Sequence, residues 1–170
     1  MLELTIVVII VCVLFAIAVD KLLKAKAMAE QAAVTRNIGN LRSALGMQVA
    51  AHVARGEMDA IFSMAGSNPI DLAVRPPANY AGVQPGVDPA AVAVQNWYFD
   101  PEAGALVYRV EFDEGFESSL EGPARTRFRI ELFYEDRNAN GVFDKRVDAF
   151  HGLDLVPVEP YTWRREPAPG

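Results

Sequence analysis

At 170 residues with a formal net charge of -6, the chain has room for one domain with a modest core. The charge is uneven: residues 1–56 hold six Lys or Arg against three acids, and residues 57–170 hold ten against nineteen. An acidic body argues against a nucleic-acid binder, whose phosphate contacts need a basic face, and a single cysteine, Cys12, excludes an internal disulfide.

The first element is the run "MLELTIVVIIVCVLFAIAVD". A secretory signal would need basic residues before its apolar stretch, and here Lys21, Lys24 and Lys26 follow it. Sixteen uncharged residues from Leu4 to Val19, extended by Met1 and Leu2, come close to the ~20 that cross a bilayer. Glu3 then lies near one membrane face, where an ionised carboxylate is costly unless paired.

From Asp20 to Arg55 there is no proline, and apolar residues recur at helical steps: Val34, Ile38, Leu41, Leu45, Val49 and Val53. Nothing separates this amphipathic stretch from the apolar run. The pattern predicts one helix over about residues 2–55, roughly 80 Å long at 1.5 Å per residue. Its first half must project from so small a body, and the exposed apolar surface must be covered by lipid or by copies of itself.

"LELTIVVII", with a glutamate just inside an apolar helix start, resembles the mature N-terminus of type IV pilins and of the pseudopilins of type II secretion systems. "NPIDLAVRPPANYAG" at Asn68 to Gly82 and "NWYFDPEAGALVYRV" at Asn96 to Val110 resemble the loop and first hairpin of a proteobacterial pilin-like group. The resemblance implies a subunit cleaved by a prepilin peptidase, often N-methylated, and held in the inner membrane. An assembly machinery then builds it into a helical homopolymer whose core is the N-terminal helices. For a pilus the destination is an extracellular filament at the cell surface, and for a pseudopilus it is the periplasm.

The assembly residues implied are Met1 and Glu3. A carboxylate buried among apolar helices needs a partner, and the α-amino group of Met1 on a neighbouring subunit supplies one. The alternative is that Glu3 lies at the lipid headgroups as a favourable charge near a helix N-terminus. The sequence departs from the family in two places. The family's glutamate stands two residues further from the mature N-terminus, behind a phenylalanine and a small polar residue, whereas Met1 and Leu2 alone precede Glu3. Many members also carry a proline just after the membrane segment; Ala18, Val19, Asp20 and Lys21 here predict a more continuous helix.

Three regions follow: 1–24, the apolar half of the helix; 25–56, the amphipathic half packed on the globule; and 57–170, a C-terminal β-domain. Residues 63–96 form a long loop with Pro69, Pro76, Pro77, Pro85 and Pro89, either a filament surface or a packed cover. "WYFD" and "LVYRVEF" flank a turn at Gly104 and predict a hairpin. "TRFRIELFYE" alternates Arg127, Arg129 and Glu131 with Phe128, Ile130 and Leu132, a strand with one wet and one buried face. "KRVDAFHGLDLVPV" supplies another strand, and the proline-rich tail from Glu159 to Gly170 is expected to run extended. The fold class is α+β: three or four antiparallel strands against the second half of a long protruding helix.

"DRNANGVFD" places oxygen side chains at alternate residues, Asp136, Asn138 and Asn140, with Gly141 where a calcium loop turns sharply. Val142 offers a carbonyl, Asp144 follows, and Asp148 replaces a glutamate missing at the twelfth position, Val147. Ca2+ takes six to eight oxygens, and this spacing over residues 136–148 wraps them around one point. The alternative is an Asn/Asp/Gly turn without metal. Catalysis finds little support: His52 and His151 stand apart, with no nucleophile and base at motif spacing and no phosphate-binding glycine loop.

Overall fold

The computed structural model describes residues 2–163. Helix α1, Leu2–Arg55, is a single unbroken element of 54 residues, as its lack of proline dictates. It stops at Gly56, whose φ of +72° carries the chain into a left-handed turn. There the Gly56 amide donates to the Val53 carbonyl and the Glu57 amide to that of His52, closing the helix with paired end bonds. A short helix α2, Met58–Phe62, follows.

The β-domain holds β1 (Tyr80–Val83), β2 (Trp97–Asp100), β3 (Ala105–Arg109), β4 (Phe116–Ser118), β5 (Arg125–Glu135), β6 (Ala149–Pro157) and β7 (Tyr161–Trp163). Five of them form one sheet in the order β1-β2-β3-β5-β6, and β4 pairs with β7 in a second, two-stranded sheet. The expected hairpin is β2-β3, in register Trp97 to Tyr108 and Asp100 to Ala105, and Gly104, φ +58°, makes its turn. The expected two-faced strand is β5, in which Thr126, Phe128 and Ile130 are buried.

The larger sheet is mixed, not wholly antiparallel: β1 runs parallel to β2, with Tyr80 opposite Trp97 and Val83 opposite Phe99. The long loop thus contributes an edge strand. Between β1 and β2 the chain crosses back over the sheet edge through a single turn at Pro89–Ala91, which Asp88 caps by accepting from the Ala90 amide. Part of the tail is also paired, because Tyr161–Trp163 forms β7 against Phe116–Ser118; residues 164–170 lie outside the described residues.

The core lies between one face of the sheet and the second half of α1. Val34, Ile38, Leu41 and Leu45 of the helix pack with Trp97, Phe99, Leu106, Tyr108, Phe128, Ile130 and Leu155. Val49 is partly buried on the same face, while Val53, expected there too, stays exposed. The protein is therefore an α+β fold in which a long N-terminal helix packs by its second half on a small sheet.

Candidate functional site

Every residue from Glu3 to Leu23 is exposed. Leu4 is 68% exposed and Phe15 70%, so this half of α1 makes no use of the sheet. It is the one helix among the described residues long and apolar enough to cross a membrane. A bare apolar rod of this size is unstable in water, and its surface requires lipid or protein around it. Glu3 sits in the first turn, where unpaired amides favour a carboxylate. Met1, its proposed partner on a neighbouring copy, lies outside the described residues. Cys12 is exposed on the same rod.

The rod meets the globule at Glu30. This carboxylate occupies the core stripe one turn before Val34 and is 5% exposed. One oxygen accepts from the Tyr108 hydroxyl and the Glu111 amide, and the other from the Phe112 amide, all at 2.9 Å. Three donors make the buried carboxylate tolerable where, among the described residues, it forms no ion pair. Lys26, one turn earlier, lies 5.7 Å from the centre of the Phe112 ring. Sequence reading passed over Glu30, although a charged residue four positions before Val34 on an otherwise apolar stripe was a usable signal.

The oxygen-rich loop folds around its own amides. Asp136 accepts from the Asn140 and Gly141 amides at 3.3 and 2.7 Å, Asn138 from Asn140 at 3.2 Å, and Asn140 from Val142 at 2.8 Å. Ala139 and Gly141 both have positive φ, +54° and +75°, so the backbone coils tightly at the alternate positions. Asp148 closes the loop by accepting from the Arg137 amide at 3.0 Å and the Asp144 amide at 2.7 Å. Asp144 accepts from the Arg146 amide at 2.9 Å, and Val142 is exposed.

Asp136, Asn138 and Asn140 are thus brought together, and Asp148 is joined to Asp144 by way of the latter's backbone. Among the described residues no group of three or more His, Cys, Asp or Glu side chains is close enough to hold a metal ion. The three loop aspartates consequently do not form a carboxylate cage in this conformation. The donor chemistry still suits a hard cation, since every candidate is oxygen and each has a lone pair beyond the one its amide uses.

The loop is also anchored to the helical side. Phe143 packs edge-on against Phe62 of α2 at 4.9 Å and against Tyr134 of β5 at 5.2 Å, and Lys145 bonds Asp59 of α2 at 2.7 Å. Asp59, Phe62, Phe143 and Lys145, with Asn140, Val142 and Asp144, line an open cleft of about 530 Å3 between loop and helix. No family model matches the chain, and no match was found among curated proteins or solved structures.

Proposed function

We propose that this chain is a structural subunit that polymerises through its N-terminal helix into a type IV pilus-like filament. One observation carries the reading: α1 is continuous from a wholly exposed apolar half to a half packed on the sheet. Such a rod has two suitable surroundings, lipid before assembly and the rods of sister subunits afterwards. The resemblance of "LELTIVVII" to pilin N-termini supports the second surrounding. In that polymer Glu3 pairs with the N-terminal amine of a neighbour, and one charge pair per subunit sets the axial register. A membrane anchor alone needs no such acid. Electron microscopy of material sheared from cells tests the reading: fibres built of this chain support it, and their absence refutes it.

The loop at residues 136–148 favours a second reading, a pseudopilin of a type II secretion system or a non-polymerising membrane-anchored calcium-binding protein. Here Asp136, Asn138, Asn140, the Val142 carbonyl, Asp144 and Asp148 supply oxygens to Ca2+. Two carboxylates already facing inward support it. Few charges among the ligands imply modest affinity, suited to calcium levels outside a cell. Binding would fix a loop that no disulfide holds.

A further inference from the structure

The face of the sheet turned away from α1 carries arginines in an otherwise acidic body. Residues 57–170 hold ten basic residues, and four of them, Arg109, Arg125, Arg127 and Arg129, stand on β3 and β5. Side chains alternate along a strand. Leu106 and Tyr108 take the core face, so Arg109 takes the other. Arg109 and Arg125 are direct cross-strand partners, an arrangement that like charges disfavour.

Neither arginine of this pair forms an ion pair among the described residues. Arg127 is neutralised by Glu159. Arg109 is only 8% exposed, yet its Nε donates to the Val92 carbonyl at 3.3 Å and its Nη1 to that of Ala124 at 3.2 Å, both uncharged acceptors. Arg125 gives Nη1 to the Glu121 and Pro123 carbonyls at 2.8 and 2.9 Å. Both guanidiniums therefore lie against the turn at residues 121–124, and among the described residues neither Nη2 group forms a hydrogen bond. Burial raises the Tyr98 phenol above its ordinary value, Arg125, Arg109 and Arg127 oppose that rise, and Asp100 adds to it. A guanidinium so deeply buried is retained at a cost unless an anion meets it.

The segment that follows β3 has the opposite character. Glu111, Asp113 and Glu114 are all exposed, and none forms an ion pair among the described residues. This acidic segment starts on the helix side, where the Glu111 and Phe112 amides bond Glu30, whereas the arginines occupy the far face. A patch and its complement on different faces of one molecule define a head-to-tail contact. Repeated without closure, such a contact builds a filament.

We propose that the Arg109–Arg125 pair receives a carboxylate from the Glu111–Glu114 segment of a second copy. This rests on the polymer reading and names a contact between globular domains within it. The test uses the full chain in the cell that makes it, with fibres recovered by shearing and membrane levels of each variant checked. R125E, and separately the double variant D113K/E114K, each lower fibre yield by at least about tenfold, because like charges now face each other across the contact. Combining them in one chain restores yield to within about threefold of the original, a rescue that simple misfolding would not give. Original chains that form no fibres would overturn both this contact and the polymer reading. Fibres whose yield R125E leaves unchanged, or a combined variant no better than either parent, would overturn the contact alone.

Discussion

The Tyr108 hydroxyl on β3 donates to the Glu30 carboxylate on α1 at 2.9 Å, joining helix and sheet at the point where the helix leaves the globule. Because the same carboxylate also takes the Glu111 and Phe112 amides, one residue holds a helix, a strand end and the loop beyond it. Glu30 is the first buried residue of α1 among those described, and residues 3–23 are all exposed.

Replacing Glu30 by Ala strands two backbone amides and a hydroxyl. At about 1–3 kcal/mol for each unsatisfied group, and with water entering the open groove beside them, E30A is expected to cost about 2–4 kcal/mol. For a chain of this size that corresponds to a melting point lower by roughly 5–15 °C, measured on detergent-solubilised full chain. E30Q, which keeps one acceptor oxygen, should recover part of the loss. A shift under about 1 °C for E30A would contradict the latch.

Alkaline pH should lower the stability of the full chain through the same contact. Burial first, and then the Glu30 charge, hold the Tyr108 phenol far above its ordinary value of 10. A group whose folded pKa is raised contributes its stability fully below the unfolded value and loses it as pH rises beyond that value. The full chain should therefore lose stability above about pH 10. Y108F should cost about 1 kcal/mol at neutral pH but show a shallower alkaline decline. Equal alkaline slopes for the two proteins would contradict this.

Calcium should raise the melting point of the full chain, and a chelator should reverse the rise. Saturation at about a hundred times the dissociation constant is worth about 2.7 kcal/mol. D136A should abolish the calcium response. D148A should abolish it as well and also lower the metal-free melting point, since Asp148 holds two amides of the loop without any ion. A melting curve indifferent to both calcium and chelator would sink the calcium reading.

The continuity of α1 should persist in the proposed polymer. Helix-breaking residues are absent between Ala16 and Lys24, and the Lys24 ammonium pairs with Asp20 one turn away at 3.3 Å. A filament map should show backbone hydrogen bonds throughout this stretch. An unwound segment there would contradict the expectation.

Local features of the fold were legible because they are written in neighbouring residues. The helix over 2–55 followed from apolar spacing and missing proline, and the β2-β3 hairpin from strands flanking Gly104. The parallel strand β1 was hidden. "YAGV" is four residues long, sits among prolines, and gains strand geometry only from Trp97 to Phe99 beside it. The Arg109–Arg125 pair was hidden for a related reason, since sixteen positions separate residues that only the β3-β5 register brings together. In the loop, alternation located Asp136, Asn138 and Asn140 together, but not that Asp148 would spend both oxygens on backbone amides.

The role of Glu3 is the centre of the account, and fibre yield from Glu3 variants tests it most directly. Cells producing the original chain should yield sheared fibres built of it. E3A should yield at least about tenfold fewer at equal membrane abundance, because the N-terminal amine of the neighbour then loses its buried partner. Fibres from E3A as abundant as from the original chain, or no fibres from either, would contradict it.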